Sequence, residues 1–295
     1  MNIGCFALIH PFSPLRNQLA QIAEWGFEYA DVTDNGDGAT LGTEFGFGAV
    51  ASLDGNPIEL KRLFGEYGLT VSSWCAHANL LDATAPWRFG TCQITKAIKS
   101  AALMGVKHVI TTEGEPVTPF GHSLNADERI FSIREKLHEP LRLADDLGVK
   151  LLLEPHGPVT DDLDQVERLL DACDSSALGL NLDTGNLWLG GGDPVEFVKR
   201  FSTKIEHVHW KDMPAEMIPK RGKIFGCGMA VIPLGTGVVD IAGVIEELRK
   251  VSFSGHTTLE IAGEEAVLSS RKFLLQQTTE GFSSSRIAPV LASAS

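Results

Sequence analysis

Eight short apolar runs punctuate this sequence: residues 3–9, 29–33, 70–75, 108–112, 150–154, 178–183, 205–210 and 256–261. Between them, apolar side chains recur at helical spacing. The clearest such stretch sets Ile130, Ile133, Leu137, Leu141 and Ala144 on one stripe. Asn125 is its predicted N-cap, Gly148 its stop, and Pro140 is expected to bend it. Another enters at Asp240 and carries Ile241, Val244, Ile245 and Leu248. Further helical patterns cover 15–25, 58–67, 93–103, 163–173, 194–201 and 265–277. Alternating strands and helices imply a parallel sheet with helices outside it. Eight units in 295 residues favour closure into a single α/β domain, a (β/α)8 TIM barrel, over an open doubly wound sheet. The barrel is expected over residues 1–282, followed by a Ser- and Ala-rich flexible tail at 283–295.

Two segments interrupt the rhythm. Residues 34–56 are Gly-rich and read as a surface loop after the second strand. Residues 213–237 carry Gly222, Gly226, Gly228, Gly235 and Gly237. Long loops after barrel strands lie on the catalytic face, so this one is expected to be a lid after strand 7.

Composition removes several classes of partner. Asp and Glu total 38 against 25 Lys and Arg, a formal charge of −13. A surface of that sign repels nucleic acid and anionic membranes, which argues against a DNA repair endonuclease. The five cysteines are widely spaced with no CxxC and read as reduced thiols of a cytoplasmic protein. The opening MNIGCFALIH lacks a basic leader and reads as a buried strand. No apolar stretch approaches the ~20 residues of a membrane helix.

The chemistry gathers at the ends of four runs. The fifth ends LLLEPHG with Glu154 and His156, and the sixth ends LNLDTGN with Asp183. The seventh reads IEHVHWKDM, with His207, His209, Lys211 and Asp212, and the eighth TTLEIAG, with Glu260. Taken singly, such residues are ordinary caps, salt bridges or core histidines. On four successive strands they would point into one mouth, where packed carboxylates are costly unless a cation compensates them. Two Glu, one Asp and one His form a mostly hard-oxygen set, suited to Mn²⁺, Mg²⁺ or Co²⁺ more than to a structural zinc. His209, nearer the rim, is the expected ligand; His207 lies a layer deeper. Lys211 either holds a substrate group or pairs with a carboxylate.

With HVHWKD and the later LGTGVVD, this set resembles the xylose-isomerase-like barrel superfamily, which includes sugar phosphate isomerases and epimerases, ketose 3-epimerases and inosose dehydratases. The resemblance runs from residue 2 to about 282. It implies one divalent ion, Mn²⁺ first with Mg²⁺, Co²⁺ or Zn²⁺ as alternatives, bound by Glu154, Asp183, His209 and Glu260. It makes Glu154 and Glu260 the catalytic acid–base pair and places His77, from CAHANL, and His156 beside the substrate. Asn186 and Ala215 stand where ketose 3-epimerases carry a substrate-binding His and Arg; Asn186 and Lys211 are counted as substrate-binding candidates. The implied function is an isomerase or epimerase acting on a sugar or keto-sugar through a metal-stabilised enediolate. The alternative is a lyase of the inosose-dehydratase or 3-keto-glycoside type on the same site. The partners implied are a small carbohydrate, no nucleic acid and no membrane, with a homodimer or homotetramer expected.

Overall fold

The computed structural model describes residues 1–10, 13–34, 51–81, 89–228 and 230–284. Among them are eight parallel strands: β1 (Asn2–Phe6), β2 (Tyr29–Thr33), β3 (Thr70–Cys75), β4 (His108–Thr112), β5 (Lys150–Glu154), β6 (Leu178–Asp183), β7 (Ile205–Trp210) and β8 (His256–Leu259). They close in sequence order, with β1 pairing both β2 and β8. The barrel predicted from the alternation is the barrel observed.

The described helices are α1 (Leu15–Glu24), α2 (Pro57–Glu66), α3 (Phe89–Met104), α4 (Pro119–Ser123), α5 (Ala126–Leu147), α6 (Leu163–Cys173), α7 (Thr184–Gly190), α8 (Pro194–Phe201), α9 (Ile241–Lys250) and α10 (Glu264–Ser284). In α5 the whole predicted stripe is buried. Asn125 accepts from the Glu128 N–H at 3.0 Å while Glu128 Oε2 accepts from the Asn125 N–H at 2.8 Å, a reciprocal cap. The helix runs on through Pro140 to stop at Gly148.

Six strands match the predicted runs residue for residue. The first and last are shorter, because burial outlasts the ladder. Leu8 and Ile9 stay buried beyond β1, but the Leu8 N–H turns back to the Phe6 carbonyl at 2.8 Å. Three short helical pieces escaped the periodicity reading: α4, α7 and a 3₁₀ turn at Ala215–Lys220. Two of them begin at capping side chains, Thr118 and Asp183, and all are too brief to show a helical period. α10 extends two residues past the expected domain end at 282, while residues 285–295 of the expected tail and 35–50 of the expected Gly-rich loop lie outside the described residues. No helix among the described residues is long and apolar enough to cross a membrane, and all five cysteines are free.

The main core lies between strands and helices. A second, small apolar cluster fills the barrel interior: Phe6, Leu8, Cys75, Ile110 and Leu152. Level with it stand polar groups: Phe6 pairs with Asp31 in the β1–β2 register and meets the His209 ring edge-on.

Candidate metal and acid–base site

Side chains alternate along a strand. The outward Leu180, Leu182, Val208 and Leu259 join the main core, which leaves Asn181 and Asp183, His207 and His209, and Glu260 facing in. A register shift between β6 and β7 pairs Asn181 with His207 and Asp183 with His209. Glu154, Asp183, His209 and Glu260, all buried, then each bring one ligand-type atom to a common place, the four atoms lying within 4.8 Å of one another.

Their surroundings aim these atoms. Asp183 Oδ1 is spent on capping α7, accepting from the N–H groups of Gly185 at 2.9 Å and Asn186 at 2.8 Å. That turns Oδ2 to the centre. Glu154 is gripped from behind, Oε1 by the Asn186 amide at 2.9 Å and Oε2 by the Asn181 amide at 3.0 Å. His209 Nε2 lies 3.0 Å from Asp31 Oδ2, whose partner oxygen accepts from the Ser72 hydroxyl at 2.6 Å. Its other nitrogen, Nδ1, stands 3.1 Å from both Glu154 Oε2 and Glu260 Oε2.

Asp183 Oδ2, His209 Nδ1 and Glu260 Oε2 are buried without a hydrogen-bond partner. Lys211 Nζ lies 2.9 Å from Asp183 Oδ2 and from Glu260 Oε1, so one ammonium supplies part of the charge that three carboxylates require. Partnerless buried polar atoms are rare because each loses its water without replacement. Four ligand-type atoms within 4.8 Å of one another, with one ammonium among three carboxylates, fit a divalent cation, and the donor set of carboxylates plus one imidazole is the hard type.

The protonation balance follows from these distances. Burial pushes the Glu154 carboxyl up, but His209 and then His77 outweigh it and hold the group well below the usual carboxylate range. For Glu260, Lys211 outweighs burial and the carboxyl is again held low. Asp183 goes the other way: burial pushes it up to about 7, with Lys211 opposing and the two glutamates adding to the rise. Asp31 is held well below the usual range because His207 and His209 more than offset its burial.

The remaining predicted site residues surround this cluster. His77 Nε2 is 3.9 Å from Glu154 Oε2, with 22% of its side chain exposed. His156 is half-buried; its Nδ1 has no hydrogen-bond partner, and burial, then His77, pushes the ring down to about 4. Asn186 has both ends engaged, since its Oδ1 accepts from the Cys227 N–H at 2.9 Å while its amide donates to Glu154.

The segment 213–237 is tied to the rim at several points. Asp212 Oδ1 accepts from the N–H groups of Met213 and Val239, and Oδ2 from those of Gly235 and Gly237, at 2.8 to 3.1 Å. This is the structural meaning of LGTGVVD: a Cβ at Gly237 would collide with the Asp212 carboxylate. Gly226, at φ +65°, lays its backbone so closely on the His156 ring that no side chain fits between them. Arg221, from the basic run 219–223, is consumed internally: its guanidinium donates to the carbonyls of Trp188, Gly191 and Gly192 and lies 5.4 Å from the Trp188 ring centre.

Sequence reasoning missed Asp31, Asn181 and Ser72. The available signal was YADVT, a lone acid inside an apolar run. It also passed over Glu113, whose two oxygens accept from the N–H groups of Val159 and Thr160 at 2.9 and 2.5 Å and so fix the loop after β5.

The family model described as xylose isomerase-like TIM barrel matches residues 19–277. An inosose dehydratase of Geobacillus kaustophilus is 29% identical over 144 residues, 46% of this chain and 46% of that protein. The match thus spans about half the length of that curated relative. Among solved structures, a D-tagatose 3-epimerase-like protein superposes with TM-score 0.77 at 21% identity, over 96% of this chain and 99% of that one. The IOLI protein with a bound zinc atom gives TM-score 0.72 at 16% identity, over 95% and 99%.

Proposed function

This chain belongs to the xylose isomerase-like TIM-barrel family, and from that premise we propose that it is a divalent-metal-dependent isomerase or epimerase of a sugar or keto-sugar. The observation that carries the reading is the convergence of Glu154, Asp183, His209 and Glu260, each with one ligand-type atom within 4.8 Å of the others and all buried. These four residues would hold the ion. When bound, a divalent cation supplies a Lewis acid that polarises a substrate carbonyl and acidifies the neighbouring C–H.

The proton work belongs to side chains. Glu154, held ionised by His209 and His77 and fixed by two amides, is the acceptor for the proton on the carbon beside the carbonyl. Glu260, with the Lys211 ammonium 2.9 Å from its Oε1, is the group through which a proton returns to carbon. His77 and His156 at the cluster's edge are the groups for substrate hydroxyls, and segment 213–237, seated on His156 through Gly226, excludes water as a lid.

A second reading is favoured by the Geobacillus kaustophilus inosose dehydratase: the proton returned through Glu260 goes to a departing hydroxyl, and water is lost. Incubating the chain with Mn²⁺ and a panel of 2-keto and 3-keto sugars, inosose included, in D₂O and following products by NMR tests both. Deuterium entering carbon in a product of unchanged formula supports the first reading. Loss of water with a new enone absorbance supports the second, and an inert panel refutes the assignment.

A further inference from the structure

Behind the ligand set lies a ring of buried polar groups that the mechanism above does not use. Asp31 Oδ2 is 3.0 Å from His209 Nε2 and 3.3 Å from His207 Nε2. His207 Nδ1 is 3.0 Å from Asn181 Oδ1, and Asn181 donates its amide to Glu154 Oε2 at 3.0 Å. Glu154 Oε2 faces His209 Nδ1 at 3.1 Å and closes the circuit. Every member is within 1% of complete burial. A β-bulge helps build it: between the pairs Ala30–Val71 and Val32–Trp74, Asp31 stands opposite two residues of β3 instead of one, and Ser72 uses that slack to donate to Asp31 Oδ1 at 2.6 Å.

The direction of each bond can be read around the ring. Asn181 spends its amide hydrogens on Glu154, so its oxygen faces His207 and His207 Nδ1 carries a hydrogen. An ionised Asp31 only accepts, so the hydrogen between it and His209 belongs to Nε2. When an ion takes the place of the Nδ1 proton, the imidazole keeps its Nε2 hydrogen on Asp31, and Nδ1 is the nitrogen aimed at Glu154 and Glu260.

Resting on the metal-dependent reading of the site, we propose that Asp31 is a positioning residue that fixes the tautomer and ring plane of His209, so that Nδ1 is the ligand nitrogen, with Ser72 holding Asp31 and the His207–Asn181 arm carrying the same constraint to Glu154. Asp31 is not one of the four residues that would hold the ion, although Asp31, His207 and His209 also bring ligand-type atoms within 4.8 Å of one another; its effect passes through His209. An amide in its place can donate as well as accept, and lets the ring protonate at Nδ1, where a ligand cannot be.

The test is Asp31→Asn in the full chain, stripped of metal with a chelator and titrated with Zn²⁺ or Mn²⁺ by calorimetry. Affinity for the ion should fall ~10–100-fold, the range for losing an outer partner of a ligating His, in a chain that still folds but melts below the parent because a buried carboxylate has lost its charge. A second measurement needs no variant: long-range ¹H–¹⁵N spectra of the Zn²⁺-loaded parent should show His209 ligated through Nδ1 and protonated at Nε2. Parent-like affinity in a folded Asp31→Asn chain overturns the role given to Asp31, as does ligation through Nε2; the spectra decide alone if that variant does not fold. A parent chain that binds no divalent ion removes instead the metal-dependent reading itself.

Discussion

Asp212 and Glu260 stand just past neighbouring strands, β7 and β8, and both bury a carboxylate at the barrel rim. Asp212 receives four backbone N–H groups, two on each oxygen. Glu260 has an ammonium at one oxygen and nothing bonded to the other. The first is a finished structure: its charge is consumed in joining the two ends of segment 213–237. The second is unfinished, and the missing partner is what a cation or substrate supplies. Burial of an acid therefore does not identify chemistry; what identifies it is an unspent oxygen pointing at other unspent atoms.

Isosteric substitution of the unfinished acids should break the comparison most sharply. Glu154→Gln and Glu260→Gln are each expected to lose ~10²–10⁴-fold in turnover on the active keto-sugar, the range for general acid–base groups. Their metal-free stability should fall, since each carboxylate is held below its usual range by neighbouring cations and the amide loses that attraction. Turnover within tenfold of the parent in both would take proton transfer away from them, and His156, beside the cluster, would be the next base to test.

Asp212→Asn should do the opposite. The amide cannot accept on its nitrogen, so two backbone N–H groups lose their acceptor, either the buried pair at Met213 and Val239 or the more exposed pair at Gly235 and Gly237. A cost of about 2–6 kcal/mol in urea unfolding is expected, from about one to three per unsatisfied buried group, with the low end for the more exposed pair. A parent-like unfolding midpoint would show that segment 213–237 does not depend on this carboxylate.

Metal addition is the next contrast. At a free ion concentration ~100 times Kd, binding to the folded state alone adds about 2.7 kcal/mol. The parent and Asp212→Asn should both gain in melting temperature with Mn²⁺, and Glu260→Gln should gain less. Equal gains in all three chains would place the ion away from Glu260.

These contrasts also mark what was legible beforehand. The barrel was readable because outward strand faces and helix stripes are both apolar, and their two periods are distinct. The acids and His209 were readable because each ends an apolar run. Asp31, Asn181 and Ser72 were not, because a single polar residue within a strand is silent until the register gives it a neighbour: Asn181 gains its meaning from lying opposite His207. The role of Asp212 was hidden for a related reason, since its partners at Gly235, Gly237 and Val239 lie more than twenty residues further on.

The smallest expected effect separates the two ends of Asn186. This residue lies between the two kinds of carboxylate, donating to Glu154 on one side and accepting from the Cys227 N–H of the segment that Asp212 anchors on the other. The Cys227 thiol also donates to Asn186 Oδ1, at 3.0 Å. A backbone N–H cannot accept, so Cys227 fixes which way round the amide sits, and the segment thereby helps to hold Glu154 in place. Asn186→Ala removes one hydrogen bond to an ionised acid and should lower kcat ~10-fold, about 1.4 kcal/mol. Cys227→Ala keeps the backbone donor and removes only the thiol, so kcat should stay within about threefold, a weak sulfur hydrogen bond being of second order. If Cys227→Ala falls as far as Asn186→Ala, the thiol orients the amide and the backbone N–H does not. If neither changes kcat, Glu154 is held by Asn181 alone, and the anchored segment has no mechanical link to the proton-transferring carboxylate.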